Sequence, residues 1–388
     1  MPLEAPTTNT RSSFSETGTL NVYHCQIRMS QPSLIFDAHL DLSMNAMEWN
    51  RDIRLPLVDI RRRDIGMKDL PDRGNNTVCL PEMRKGRIGL CVATQIARHS
   101  ARFSKLPGWQ SPEQAWAQTQ GQLAWYRTME QAGELVQLRT WQDVSAHASL
   151  WRNATSTAKL PIGYLLSLEG ADSILSMKHL EQARGSGLIA LGPVHYGPGI
   201  YGHGTDDEGP LTARGQELLK KMEELNIILD ATHLCDESFW DALSRFRGPV
   251  WASHHNCRSL ADWNRQLSDD QIRALIERGA VIGMAFDAIM MVHNWVHHKS
   301  KPQDFNLKIE TICDHIDHIC QIAGNAKHVG IGTDLDGGYG TEQTPMDLNS
   351  IADLANLSTP LSARGYKPAD IDNIFAGNFL RFLKDNLK

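Results

Sequence analysis

Eight short apolar runs, each followed by a stretch of helical character, recur from residue 33 to the end of the chain. They cover 33–41, 87–97, 160–170, 187–195, 226–234, 249–255, 280–288 and 328–337. Each is apolar for most of its length, as in "RIGLCVATQIA" and "LPIGYLLSLEG". Runs of that kind are expected where a strand is buried on both faces of a parallel sheet. Between them, "TARGQELLKKMEELN" (212–226) sets Leu218, Leu219, Met222 and Leu225 at helical spacing. "SDDQIRALIERG" (268–279) opens on a capping serine and closes on glycine. The last segment, 368–387, lines Ile371, Ile374, Phe375, Phe379 and Phe382 along one side, with Gly377 as a weak point.

Eight strand–helix units in 388 residues predict an α/β fold of the (β/α)8, TIM-barrel type. A doubly wound open sheet is the competing architecture, but no GxGxxG follows the first strand. A single catalytic barrel is expected over 33–388, with an inserted helical region at about 98–159 that includes "PEQAWAQTQGQLAWYRTMEQAG". Residues 1–32 read as a loosely ordered extension.

The net charge of −6 leaves no basic footprint for nucleic acid. No window approaches the roughly 20 apolar residues of a membrane span, so no membrane partner is expected. Seven scattered cysteines (Cys25, Cys79, Cys91, Cys235, Cys257, Cys313 and Cys320), an odd number without a CxxC pair, suit a reducing compartment. The Ser/Thr-rich start has no continuous apolar core of a secretory signal, and a cytoplasmic location is the expectation.

Polar residues sit where the strands stop. "LIFDAHLDL" carries His39 and Asp41 two residues apart, which strand alternation places on one side. Further runs end in Glu169, His195, His233, His254 or His255, and Asp334. In a barrel of this type the C-terminal strand ends converge on the face that holds active sites. Imidazole nitrogens and carboxylate oxygens are ligands for zinc and similar ions, and Glu169 as a bridge would let the set hold two of them. Two such ions can share a hydroxide and keep it deprotonated near neutral pH.

Each residue also has a plainer explanation. His233 alone would be a hydrogen-bonded core residue, Glu169 a cap for the turn after Gly170, and Asp334 and Asp336 turn formers. Their coincidence at successive strand ends favours the site. His315 and His318 in "CDHIDHIC" read as a solvated helix face, and "HNWVHHK" (293–299) as a surface segment. His203, on a glycine-rich loop, is a candidate to line a pocket.

Taken in order, "FDAHLDL", "LSLEGAD", "DATHL", "ASHHNCRSLADWNRQLSDD" and "VGIGTDLDGG" resemble the membrane dipeptidase (renal dipeptidase) family of the amidohydrolase superfamily. The resemblance runs from about residue 33 to the closing helix. It implies a barrel with two divalent metal ions, zinc by expectation, a dipeptide substrate and a homodimer. It implies that His39 and Asp41 hold one metal, Glu169 bridges, and His233 and His254 hold the second. His254 is matched rather than His255 because the family's Ser-His pair aligns with Ser253–His254. His195 matches a histidine that contacts the reacting carbonyl, Arg265 an arginine that holds the substrate carboxylate, and Asp334 the acid/base. The loops after His195 and before Arg265 depart from the family pattern, which bears on specificity more than on reaction type. The alternatives are a related amidohydrolase acting on N-acyl amino acids or lactones, a hydrolase with one metal, and a barrel without catalysis.

Overall fold

The computed structural model describes residues 32–100 and 107–387. The expected extension over 1–32 lies outside the described residues except for its last position, and so does Cys25. The strands are β1 (Ile35–Leu40), β2 (Ile88–Ile96), β3 (Leu135–Gln137), β4 (Ile162–Glu169), β5 (Leu188–Gly192), β6 (Ile228–Asp230), β7 (Val250–Trp251), β8 (Ile282–Met284) and β9 (Val329–Ile331). Their pairings are all parallel, in the order β7-β6-β5-β4-β2-β1-β9-β8.

The two ends of that series meet. The Ala252 amide donates to the Val281 carbonyl (3.1 Å), and the Gly283 amide donates to the Ala252 carbonyl (2.8 Å). Eight strands therefore close into the (β/α)8 barrel, and the open-sheet alternative is excluded. β3 was not foreseen. It lies between the helices Pro112–Gln131 and Trp141–Asn153 and pairs with the first half of β4.

The seam has a steric requirement. A Cβ on Gly283 or Gly332 would come within 1.9 and 1.8 Å of the Ser253 carbonyl oxygen, so only glycine lets the walls approach.

Most strands are shorter than the apolar runs that predict them, because their C-terminal ends leave the ladder. Side chains take over the freed amides there. Buried Asp37 accepts from the Thr333 amide (2.9 Å) and hydroxyl (2.6 Å), and Asp230 accepts from the amides of Thr232 (3.1 Å) and Ser253 (3.0 Å). His233 (φ 69°) and Asp334 (φ 58°) take left-handed backbone, which swings each side chain away from the course a strand would give it.

The helix Ala213–Glu224 buries Leu218, Leu219 and Met222, and Asp269–Glu277 starts from a Ser268–Gln271 capping box. The last helical segment does not break at Gly377. It passes through a π-turn over Asn373–Gly377 before Asn378–Asn386, and Asn378 donates to the Val329 carbonyl (2.7 Å). His315 corrects the reading of "CDHIDHIC" as a solvated face. It is fully buried, accepting from the Cys257 amide (3.1 Å) and meeting the Met291 carbonyl (3.1 Å), while His318 pairs with Asp269 (2.7 Å). Among the described residues, no helix is long and apolar enough to cross a membrane.

Candidate active site

At the C-terminal mouth of the barrel, His39, Asp41, Glu169, His233, His254 and Asp334 come together although they span three hundred positions of sequence. His39 is the last inward-facing residue of β1. Asp41 lies just past the strand, as the residue before helix Leu42–Met47, so alternation alone does not account for its placement. The His39 Nε2 stands 3.8 Å from Asp41 Oδ2, 3.6 Å from Glu169 Oε2 and 3.7 Å from Asp334 Oδ1. The other oxygen of Glu169 lies 3.0 Å from His233 Nε2 and 3.4 Å from His254 Nε2. Three groups of potential ligand atoms result: His39, Asp41 and Glu169; Glu169, His233 and His254; and His39, His254 and Asp334.

The far side of each ring is held. His233 Nδ1 meets the Thr205 hydroxyl (2.9 Å), and His254 Nδ1 meets the Ser253 hydroxyl (3.0 Å). With each hydroxyl accepting from Nδ1, the Nε2 lone pairs would face the carboxylates and be open to a cation. Asp41 is in turn bound by the Thr94 hydroxyl.

This arrangement fits divalent ions on two grounds. His39 Nε2 is buried without a hydrogen-bond partner, although three carboxylates surround it. The distances are also right, because ligands about 2.1 Å from a tetrahedral ion stand about 3.4 Å from one another. The electrostatics agree. Burial alone would lower the His39 pKa, but Glu169, Asp41 and Asp334 outweigh it and raise it to about 10. Burial raises Glu169 to about 7, with the Asp41 charge adding to the rise and the His39 charge opposing it. Burial likewise pushes Asp334 well above the usual carboxylate range, with Asp41 and Glu169 adding to it. His233 and His254 are driven well below the ordinary histidine value by burial, with Arg265 among the charges that add to it, so both rings are neutral. Crowded carboxylates that hold protons would exchange them for a cation.

A cavity of about 500 Å³ opens over the cluster. Arg265 is almost fully buried in its wall. It donates to the His254 carbonyl (3.1 Å), and its Nη1 has no partner. His195 lines the same space, with Nε2 3.9 Å from Glu169 Oε1. His255 is buried outside the ligand groups. Where the sequence left His254 and His255 open, it is His254 that the structure brings to the other ligands. His203 pairs with Asp207 (2.7 Å) and does not line this cavity. "HNWVHHK" is mostly exposed, yet Trp295 is buried and His297 reaches the cavity rim.

Two further lining residues carried no signal in the sequence. Arg98 sits two residues beyond β2 and meets His195 Nδ1. Asp287, raised to about 7 by burial, accepts from Gln343 (2.8 Å).

A family model for membrane dipeptidase, peptidase family M19, matches residues 26–387. An uncharacterized protein from the pqqA 5′ region of Klebsiella pneumoniae is 31% identical over 236 residues, covering 55% of this chain and 83% of that protein. An uncharacterized dipeptidase of Schizosaccharomyces pombe is 28% identical over 174 residues, covering 45% of this chain but only 40% of the relative. Among solved structures, a Rhodobacter sphaeroides metallopeptidase liganded with a phosphinate mimic of L-Ala-D-Ala superposes with a TM-score of 0.73 at 22% identity. That match covers 91% of this chain and 99% of the other.

Proposed function

The chain belongs to the membrane dipeptidase family, peptidase family M19, and on that premise we propose that it hydrolyses the peptide bond of dipeptides at a centre for two divalent metal ions. The observation that carries the reading is the split of Glu169, whose Oε2 faces His39 while its Oε1 faces His233 and His254. His39 and Asp41 would hold one ion, His233 and His254 the other, with Glu169 between them. Zinc suits this nitrogen and oxygen set. Two ions there would supply a deprotonated water near neutral pH and polarise the scissile carbonyl.

The remaining steps belong to the protein. Arg265 receives the terminal carboxylate through its unpartnered Nη1, fixing the substrate by one end. His195 donates from Nε2 to the oxygen on which charge develops. Asp334 takes the proton of the attacking water and delivers it to the leaving amine. Its raised pKa suits a group that both holds and releases a proton. The cavity buries these contacts on a scale that matches a small substrate. A cytoplasmic homodimer is the proposed setting.

Metal analysis of the purified protein, with a panel of Xaa-L and Xaa-D dipeptides set against N-acyl amino acids and lactones, tests the reading. Two ions per chain with dipeptide turnover is the expected result. One ion per chain, or turnover confined to the acyl or lactone substrates, would replace it.

A further inference from the structure

Arg98 is built into the cavity wall rather than left on a loop. Its carbonyl accepts from the Trp109 amide (2.8 Å), and the Ser100 amide donates to the Trp109 carbonyl (2.9 Å), so a short parallel bridge fixes the backbone beyond β2. Gly108 lies so close that a Cβ there would stand 2.9 Å from the Arg98 carbonyl oxygen. The side chain is held as well. Nη1 donates to the Pro107 carbonyl (3.1 Å), the guanidinium carbon lies 5.7 Å from the centre of the Tyr196 ring, and Nη2 meets His195 Nδ1. No carboxylate among the described residues lies within ion-pair distance of this guanidinium.

A guanidinium has five N–H donors and no acceptor. At the Arg98–His195 contact the proton therefore lies on the arginine, and Nδ1 must be the bare nitrogen. The single ring proton of His195 is then on Nε2, the atom 3.9 Å from Glu169 and facing the ligand cluster. We propose that Arg98 is a positioning residue that fixes the Nε2–H tautomer of His195 and aims its proton at the reacting carbonyl. The inference rests on the proposed role of His195 as donor to that oxygen. Arg98 itself touches neither the ligand cluster nor, in this account, the substrate.

The test uses the metal-loaded enzyme with ¹⁵N-labelled histidine. Long-range ¹H–¹⁵N correlations report the tautomer, and His195 is assigned by its loss in His195→Asn. Wild type should show a bare Nδ1 at His195. Arg98→Met should lose that preference and lower kcat about tenfold or more, short of the ~10²–10³ lost when an oxyanion donor is removed outright, with KM nearly unchanged. Arg98→Lys keeps a donor on a flexible stem and should restore the tautomer and part of kcat, even if the methionine variant folds poorly. An unaltered Nε2–H tautomer in Arg98→Met overturns the proposal. So does a rise in KM limited to acidic dipeptides with the tautomer intact, which would make Arg98 an anion receptor. A shifted tautomer with undiminished kcat upholds the effect of Arg98 on the ring and removes His195 from the reaction instead.

Discussion

Glu169 places one carboxylate oxygen 3.6 Å from His39 Nε2 and the other 3.0 Å from His233 Nε2, so a single side chain joins both halves of the proposed ligand set. Replacing it by glutamine keeps the shape but removes the charge and one acceptor. Glu169→Gln should retain about one ion per chain or fewer after dialysis, measured by elemental analysis, because a neutral amide oxygen is a weak substitute for a carboxylate shared by two zinc-type ions. His255→Asn is the matched control. Its ring lies outside the ligand groups, and the metal content should stay at the wild-type level. Full retention in Glu169→Gln would remove the bridge.

Asp334 stands 3.7 Å from His39 and 4.0 Å from His254, beside the cluster where the proposed attacking water would give up its proton. Asp334→Asn cannot accept that proton. Turnover should fall by about 10²–10⁴ while the metal content is kept. Unchanged turnover would end its assignment as acid/base, and lost metal would make it a ligand.

Arg265 has its guanidinium almost fully out of water with one nitrogen unpartnered. Lysine retains the charge but not the planar fork. Arg265→Lys should raise KM for dipeptides by roughly 10–100-fold, the scale of one charged hydrogen bond of about 1.5–3 kcal/mol, and change kcat little. The mirror result, low kcat at constant KM, would move this arginine from substrate binding to the chemical step.

The metal-free protein should become less stable as pH rises above about 6.5. Glu169 titrates at about 7 in the fold against an ordinary value of 4.5, so the fold binds the proton more tightly than the unfolded chain across that window. His39, raised from 6.5 to about 10, acts in the same direction. Its stabilisation is complete below its ordinary value and is lost as pH climbs towards 10. His233 and His254, lowered below the ordinary 6.5, act in the opposite direction up to that pH, so the net decline is expected from about pH 6.5 to 10, where the native state alone holds the extra protons. Added zinc should reverse the decline, with a Tm increment that grows with pH in calorimetry. An increment independent of pH would mean that metal does not compete for these protons.

The strands and their polar ends were legible because period and residue type are local properties of the chain. Each of His39, Asp41, Glu169, His233, His254 and Asp334 closes or follows an apolar run, and a parallel barrel carries all such ends to one face. What escaped depends on distant partners. β3 has three residues, too few for a periodic signal, and exists because β4 offers it an edge. Arg98 gains its meaning from His195, ninety-seven positions away in sequence. His315 looks like a surface residue on its own helix until Cys257 and Met291 arrive from elsewhere to bond both ring nitrogens. The shortened strand ends at His233 and Asp334 reflect left-handed backbone that an apolar pattern does not encode.

Ser253 links the integrity of the wall to the grip on the ligands. Its carbonyl is wedged against Gly283 and Gly332 where the cylinder closes, and its hydroxyl reaches Nδ1 of His254 (3.0 Å) and Nδ1 of His39 (3.5 Å). Loosening of that one joint unpins two imidazoles together. Ions held by those rings would then depend on the local opening free energy of a few residues rather than on unfolding of the whole barrel.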